Sequence, residues 1–389
     1  MFKQDILLFL IAFKDRFFKS LPFKFLPINN KKIVFSNYLG FGYGCNPKYI
    51  AEEILNTRKD LKLVWIVDSK KGDFKFPKGI EKVDNIIQAL FELATAKIWV
   101  DNYHKVNFIK KHLQKRKGQY YIQTWHGSLG IKKIEADVHS LTNTKNWKNE
   151  ALANASMQDF LISNSDFEDD VYKSAFWNKG EILKIGHARN DIFFKDNANL
   201  KQRILEFYNL KKDTKILIYA PTFRQGYSCE TYNINYPNLK RALEEKFKGE
   251  WVIFVRMHKN ICKRFDFSKE EFIIDVSDYD DMQELMAISD VLITDYSSCI
   301  FDFMLSRKPA FIYATDIEKY EKERGFYYSI YDTPFLVAKN NTELVANITS
   351  FDGEIYQLDV EKFLLGKGCI DDGKASIRIA KLITNLLEK

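Results

Sequence analysis

Apolar, β-branched runs alternate with stretches of helical periodicity along most of the chain. The runs that predict strands are residues 32–36, 62–67, 97–101, 120–124 and 159–162 in the first half, and 215–220, 251–256, 271–275, 291–294 and 309–314 in the second. Helical patterns lie between them, for example over 47–57 and 84–94. This alternation is typical of parallel sheets covered by helices, and two consecutive α/β units are the simplest interpretation.

A polar stretch without a strand pattern, from about residue 195 to residue 213, separates the two units. We therefore predict an N-terminal domain over 31–200 and a C-terminal domain over 201–389, preceded by a separate segment over 1–30. A last helix is predicted over 374–388, and we expect it to pack back across the cleft between the units.

The composition is that of a folded protein. The chain has 389 residues, of which 46% are hydrophobic and 15% aromatic, and this excludes disorder and low complexity. The 59 Lys and Arg residues against 52 Asp and Glu residues give a net charge of +7. That charge is too modest for a nucleic-acid-binding protein, but it fits an anionic substrate or membrane surface. The five cysteines are scattered without metal-binding spacing, which predicts a reducing compartment and no structural zinc.

The first 26 residues combine apolar and aromatic side chains with basic ones. The apolar run Ile6–Phe13 is shorter than the roughly 18 residues that span a bilayer. Charged residues follow it directly, where a signal peptide would have its cleavage site. Two interpretations fit: an amphipathic helix lying in a lipid interface, and a helix packed on its own domain.

Four clusters of polar residues directly follow predicted strands, where ligands of parallel sheets bind. The first begins with His126 and Gly127 after the run 120–124 and continues to Lys132. A histidine at a strand end faces a cleft and titrates near neutrality, which suits a general base. A structural histidine bonded to a turn is the alternative.

The second cluster, after residues 182–185, contains Arg189 and Asp191. Arg189 is able either to clamp a phosphate or to pair with Asp191 as a structural bridge.

The third cluster joins two strand ends of the second half. Thr222 and Arg224 follow the run 215–220, which Pro221 ends, and His258 follows the run 251–256. Because His126 and His258 belong to different halves, we expect each domain to offer one imidazole to a shared cleft.

In the fourth cluster, Asp295, Ser297 and Ser298 lie between the strand 291–294 and a helical run that carries Asp302. Two hydroxyls and several free N–H groups at a helix start predict an anion site. An ordinary helix cap explains the serines as well.

No Walker A loop and no G-x-G-x-x-G sequence follows a strand, so the ATPase and dinucleotide-binding classes lose support. The carboxylates near the four clusters are not spaced as in a typical Mg²⁺ site. We therefore expect a transfer reaction that uses no cofactor and no metal.

Taken together, the clusters resemble the CDP-glycerol glycerophosphotransferase family, whose members prime or polymerise wall teichoic acids and related capsule polymers. The motifs that carry the resemblance are, in order, Tyr121–Gly127, Gly186–Asp191, Tyr219–Arg224, Arg256–His258 and Asp290–Ser298 with Phe301 and Asp302. Shorter matches at 46–50, 99–102 and 324–327 extend it over most of the chain from about residue 32.

The resemblance implies an α/β, GT-B-like fold, with two Rossmann-like domains facing across a cleft and the CDP-linked donor held mainly by the C-terminal one. It implies a CDP-alditol phosphotransferase, which moves an alditol phosphate from CDP-glycerol or CDP-ribitol to a hydroxyl of a lipid-linked acceptor and releases CMP. It also implies peripheral association with the cytoplasmic face of the cell membrane. That location favours the amphipathic interpretation of the N-terminal segment.

Site roles follow from the resemblance position by position. His126 and His258 match the family's two functionally important histidines, and we expect His126 to be the general base. The residues expected to bind the donor are Thr222, Arg224, Asp295, Ser297, Ser298 and Asp302, and of these Asp302 is expected to meet the alditol hydroxyls. Those expected to contact the acceptor or a phosphate are Gly127, Lys132, Arg189 and Asp191.

Two loops depart from the family pattern: Ser128-Leu-Gly130 stands where Thr-Pro-Leu is common, and His187-Ala188 stands where Tyr-Pro is common. The sequence therefore leaves open the alditol, the acceptor, wall or capsule polymer, and the oligomeric state. Its length favours a primase or short-chain transferase over a polymerase. A GT-B glycosyltransferase of surface polysaccharide synthesis, using a nucleotide-sugar donor, is the main alternative, and a non-catalytic membrane-bound scaffold ranks lowest.

Overall fold

A computed structural model of the chain describes residues 25–103, 114–138, 145–222, 224, 229–257 and 270–389. These residues form two parallel sheets, one after the other along the chain. The first contains β1 (Asn29–Ser36), β2 (Lys62–Ile66), β3 (Ile80–Val83), β4 (Ala96–Asp101), β5 (Tyr120–Gln123), β6 (Phe160–Ser163) and β7 (Glu181–Lys184). The second contains β8 (Lys215–Tyr219), β9 (Trp251–Val255), β10 (Ile273–Asp275), β11 (Val291–Thr294), β12 (Ala310–Tyr313) and β13 (Leu336–Ala338).

Helices connect most of the strands. They are α1 (Cys45–Thr57), α2 (Ile86–Thr95), α3 (Lys145–Ala155), α4 (Asp166–Ala175), α5 (Ala198–Phe207), α6 (Tyr236–Phe247), α7 (Met282–Ile288), α8 (Cys299–Phe303), α9 (Ile317–Arg324), α10 (Asn341–Ser350), α11 (Gly353–Gly366) and α12 (Ala375–Leu387). Every residue of β4 and of β9 is buried, as expected for central strands covered on both faces.

The strand order creates a crevice in each sheet. The first sheet runs β3-β2-β1-β4-β5-β6-β7, and the second runs β10-β9-β8-β11-β12-β13. The order reverses between β1 and β4 in the first and between β8 and β11 in the second. In parallel sheets the loops diverge at such a point, so ligands bind there, outside the carboxyl ends of the strands.

The two units contact each other closely. The Lys48 Nζ atom of α1 lies 2.7 Å from Asp281 Oδ2, and the Tyr49 hydroxyl donates to the same oxygen at 3.0 Å. The last helix, α12, places Ile379 and Ile383 in the core beneath the first sheet. The chain therefore returns to the N-terminal unit at its end, as the sequence predicted.

The α/β prediction is confirmed, and each predicted strand coincides with an observed strand to within three residues. The pattern missed β3, whose Glu81 and Lys82 are exposed, and β13, which has only three residues and lies at a sheet edge. The third observed strand absent from the listed runs is β7, which corresponds to residues 182–185 before the second cluster. The domain boundary predicted between residues 200 and 201 falls inside α5, whose Ile204 and Leu205 join the core of the second unit.

Among the described residues, no helix combines the length and apolar composition that crossing a bilayer requires. The amphipathic helix predicted over residues 2–26 lies almost wholly outside the described residues, so it stays a prediction.

Candidate active site

His126 lies at the carboxyl edge of the first sheet, just after β5. Its Nδ1 atom is 2.7 Å from the carbonyl oxygen of Asn102, which follows the neighbouring strand β4. A carbonyl oxygen only accepts hydrogen bonds, so Nδ1 carries the proton. In the neutral ring Nε2 then keeps its lone pair, which is the state that a general base needs.

Three aromatic rings surround this imidazole. The ring centroids of Trp125, Tyr103 and Tyr38 lie 4.0, 5.4 and 5.1 Å from that of His126. Tyr38 follows β1, so the rings come from three adjacent strand ends on both sides of the first crevice. Tyr38 and Trp125 have φ angles of 42° and 52°, in the left-handed region that side chains other than glycine rarely adopt. Such strain is concentrated at functional sites and persists only where the surroundings enforce it.

Asn102 also fixes the loop after β1. Its side-chain oxygen accepts from the Tyr38 backbone N–H at 2.9 Å, and its amide donates to Asn37 at 2.7 Å. Asn102 is fully buried. One residue therefore orients the imidazole of His126 and holds the backbone of Tyr38, whose ring packs against that imidazole.

A hydrogen bond links the loops on the two sides of the second crevice. The backbone N–H of Thr222, after β8, donates to Asp295, after β11, at 2.9 Å. The Nη1 atom of Arg224 lies 2.8 Å from Asp295 Oδ2, and its Nε atom lies 2.8 Å from Asp316 Oδ2. Arg224 is 6% exposed. Burial alone would lower the pKa of Arg224, but Asp295 and Asp316 outweigh it and raise that pKa. Its charge is therefore balanced inside the protein.

Aromatic rings complete the setting of Arg224. Its guanidinium carbon lies 5.4, 5.0 and 5.3 Å from the ring centroids of Tyr232, Tyr296 and Tyr320. Tyr296 and Tyr320 stack on each other at 4.0 Å. Arg224 thus joins the loop after β8 to its neighbours, and the donor contact expected of it from the sequence stays a prediction.

Ser297 and Ser298 are half-buried between β11 and α8. They face the loop after His126: a Cβ atom placed on Gly127 would lie 3.4 Å from the Ser298 hydroxyl oxygen, and one on Gly130 would lie 3.3 Å from Ser298 Cβ. The two serines and the histidine loop, predicted from opposite halves of the sequence, therefore meet across the cleft.

Lys132 belongs to the same interdomain region. Burial and the nearby Arg324 lower the pKa of its ammonium group to about 8, against the attraction of Asp295. A half-buried lysine between two arginines and one aspartate is suited to gain a further anion, such as a phosphate.

Two residues predicted as acceptor or phosphate contacts have protein partners in the structure. Arg189 binds Asp302 through two hydrogen bonds, of 2.9 and 3.1 Å, and both side chains are buried. Asp191 accepts from the backbone N–H groups of Ala375 and Ser376 at 2.9 and 2.8 Å, and from the Ser376 hydroxyl at 2.6 Å. Asp191 therefore caps α12, and the Arg189–Asp302 pair joins the two units.

His258, the second expected catalytic histidine, lies outside the described residues, so its role stays a prediction. Within the described ranges, no group of three His, Cys, Asp or Glu side chains is placed to hold a metal ion.

Sequence reasoning missed Tyr38, Tyr103 and Asp316 and gave Asn102 no role. Asn102 follows the predicted strand 97–101 directly, as His126 follows its own strand, and that position was a usable signal. Asp316 carried none, because its partner Arg224 is 92 residues away in the sequence.

Comparison with known proteins extends these findings. Residues 19–385 match the sequence profile of the family described as CDP-glycerol:poly(glycerophosphate) glycerophosphotransferase. A teichoic acid poly(glycerol phosphate) polymerase of Bacillus spizizenii is 35% identical over 315 residues, covering 78% of this chain and 79% of the relative. A relative of the same description from Bacillus subtilis is 31% identical over 350 residues, covering 86% of this chain and 46% of that protein. The chain thus spans about half the length of the second relative.

The structure is similar to that of the wall teichoic acid polymerase TagF, in a His-to-Asn variant soaked with CDPG. The TM-score is 0.83 and the sequence identity 30%, over 99% of this chain and 97% of that one. This likeness covers both units, and it confirms the GT-B-like arrangement expected from the sequence.

Proposed function

The chain belongs to the CDP-glycerol:poly(glycerophosphate) glycerophosphotransferase family, and from that membership we propose that it transfers glycerol phosphate from CDP-glycerol to a hydroxyl of a teichoic acid acceptor. As a CDP-alditol phosphotransferase it forms a phosphodiester and releases CMP. The observation that carries the proposal is the meeting of the His126 loop with Ser298 across the cleft.

The proposed reaction begins when the acceptor hydroxyl oxygen attacks the β-phosphorus of CDP-glycerol. Nε2 of His126 takes the hydroxyl proton, the new P–O bond forms, and the bond from the β-phosphorus to the bridging oxygen breaks. CMP leaves with that oxygen. The tautomer that Asn102 imposes on His126 supports this role, because it leaves Nε2 unprotonated.

Charge stabilisation supplies most of the catalysis in phosphoryl transfer. We assign it to the hydroxyls of Ser297 and Ser298, to the ammonium group of Lys132, and to His258 by family resemblance. Thr222, Arg224 and Asp295 shape the donor site by fixing the loops on both sides of the second crevice. Gly127 brings the His126 loop close to the serines, because a Cβ atom there would be in van der Waals contact with the Ser298 hydroxyl oxygen, at 3.4 Å.

We propose glycerol as the alditol, because both reported relatives are named for poly(glycerol phosphate) and the similar TagF structure was soaked with CDPG. CDP-ribitol is the other donor to test. We further propose a lipid-linked acceptor and peripheral binding to the cytoplasmic face of the membrane. The alternation of apolar and basic residues over 2–26 supports that location.

The test is CMP release by the purified chain from CDP-glycerol and, separately, from CDP-ribitol, with a lipid-linked glycerol phosphate acceptor. We expect acceptor-dependent CMP release that falls about 10²- to 10⁴-fold in His126→Ala, the usual contribution of a general base. His187→Gln is the matched control, because His187 is buried against Glu168, 2.8 Å away. Release of a nucleoside diphosphate from a nucleotide sugar, with no CMP from either CDP-alditol, would replace the proposal by the glycosyltransferase alternative.

A further inference from the structure

The segment Arg324-Gly-Phe-Tyr-Tyr328, which begins at the last residue of α9, has no role in the chemistry proposed above. In the structure it runs antiparallel to residues 129–134, the continuation of the loop that carries His126. The Tyr327 backbone N–H donates to Ile131 at 2.7 Å, and the Lys133 backbone N–H donates to Gly325 at 2.9 Å. Lys132 and Phe326 form the bridge pair between these bonds. We name residues 324–328 the interdomain strap.

Side chains of the strap add further bonds to the N-terminal unit. The Tyr327 hydroxyl donates to Asp137 at 2.6 Å and accepts from the Ile134 backbone N–H at 3.3 Å. The Tyr328 hydroxyl donates to the carbonyl oxygen of Leu129. Because these partners are spread over residues 129–137, the strap holds that stretch at several points.

Tyr328 is itself held by side chains of both units, Lys367 of the C-terminal unit and Phe167 of the N-terminal one. The ammonium group of Lys367 lies 3.5 Å from the centroid of its ring and 4.5 Å from that of Phe167, in α4. The ring of Phe167 meets that of Tyr328 edge to face at 5.4 Å. A cation between two aromatic rings makes this junction specific in geometry.

The loop needs such support because its backbone is strained. Trp125, Leu129 and Glu135 have φ angles of 52°, 50° and 45°, in a region that costs free energy for side chains other than glycine. The strap bonds to Leu129, which is one of these strained residues. It also bonds to Ile131 and Lys133, which lie between Leu129 and Glu135. Without it the stretch would relax, and the close approach of Gly127 and Gly130 to Ser298 would be lost.

We propose that the interdomain strap is a positioning element of the phosphotransfer site: it holds the His126 loop against Ser298 and so sets the distance from the base to the donor phosphates. This inference rests on the proposed function. The base-bearing loop starts in the N-terminal sheet at β5, yet its far end is bonded to the C-terminal unit. The position of the His126 loop relative to the C-terminal half of the site therefore depends on the pairing of residues 129–134 with the strap.

The test uses Tyr327→Phe, which removes the bonds to Asp137 and Ile134, and Gly325→Ala, which places a side chain at φ +78° and 2.9 Å from the Lys133 side chain. The matched control is Tyr313→Phe, whose hydroxyl donates to Asn233 inside the C-terminal unit at 2.9 Å. Hydrogen exchange of residues 126–134, CMP release and the unfolding temperature are measured in the full chain.

We expect faster exchange over 126–134 in both strap variants and a fall in kcat of roughly tenfold to 100-fold, the cost of misplacing reacting groups by about 1 Å. The control should keep wild-type exchange and kcat. In the His126→Ala background Tyr327→Phe should reduce kcat no further, because it acts through that loop. If the kcat losses of Tyr327→Phe and His126→Ala multiply in the double variant, the positioning role of the strap is contradicted. Unchanged exchange and kcat in both strap variants would contradict it as well. Wild-type turnover of His126→Ala would instead overturn the proposed base.

Discussion

Arg189 and Asp302 form a two-pronged ion pair between the N-terminal and C-terminal units, with exposed side-chain fractions of only 1% and 3%. Burial alone would lower the pKa of Arg189, but Asp302 outweighs it and raises that pKa well above its ordinary value. Asp302 was expected to meet the alditol hydroxyls of the donor. Because both of its oxygens bind the guanidinium group, we propose instead that it fastens the two units together.

Asp302→Ala should therefore act on stability. It leaves a buried guanidinium group without its counter-ion, and losses of about 3–5 kcal/mol in unfolding free energy are typical of such a change. Chemical denaturation measures the loss, and Asp332→Ala, at an exposed position, is the control. An unfolding free energy equal to that of the wild type, together with a raised KM for CDP-glycerol, would restore the alditol-binding role.

Asp191→Ala should also destabilise the protein, because the carboxylate accepts three hydrogen bonds at the start of α12. We expect a loss of about 2 kcal/mol or more, since the bonds are buried and one carboxylate serves several donors. Hydrogen exchange over residues 375–387 should rise with it. Asp352→Ala removes a comparable but exposed cap from α11 and should cost about 1 kcal/mol or less. A changed acceptor KM at unchanged stability would contradict the capping role.

The strand ends that carry the site were predictable because they depend on local pattern. Apolar runs gave the carboxyl ends of β5, β8 and β11, and the topology of parallel sheets places such ends at one edge. His126, Thr222 and Ser298 were found in this way. What these side chains bind was a different question, because it depends on pairs far apart in the sequence.

Arg189 and Asp302 illustrate that limit. They are 113 residues apart, and the choice between a phosphate and a carboxylate as the partner of an arginine is made by three-dimensional packing alone. The pairing of residues 129–134 with the interdomain strap has the same origin. It consists mainly of backbone hydrogen bonds, which leave no residue-type signature in either segment.

Lys132 should give the enzyme an alkaline limit. Burial and Arg324 lower the pKa of its ammonium group to about 8, so the charge that would attract the donor phosphates is lost as pH rises through that value. We expect kcat/KM for CDP-glycerol to fall above about pH 8, because this ratio reports groups of the free enzyme. In Lys132→Arg the fall should move to higher pH. An identical pH profile in that variant would rule out Lys132 as the group that titrates.

The lowered pKa of Lys132 also predicts that the stability of the fold rises with pH. Between about pH 8 and the ordinary lysine pKa of about 10.4, the unfolded chain binds more protons at Lys132 than the folded one. Stability then rises with pH over that window. Lys132→Met should remove this rise, as measured by denaturation at pH values across the window. A rise in the variant as large as that of the wild type would contradict the assignment.

Asn102→Ala should affect catalysis through His126. The substitution keeps the backbone carbonyl but leaves the Tyr38 N–H and the Asn37 amide oxygen without the partners that Asn102 gives them. The loops after β1 and β4 then lose their common anchor, and the carbonyl that fixes the His126 tautomer moves with them. We expect kcat to fall about tenfold, with about 2 kcal/mol lost in stability.

Asn178→Ala, which removes two bonds within a turn at Gly180, controls for the loss of an asparagine. The decisive comparison is the pH profile: if Asn102 acts by orienting the imidazole, the acidic limb of kcat shifts in Asn102→Ala and stays in place in Asn178→Ala. A lower kcat with an unshifted limb would reduce Asn102 to a structural residue.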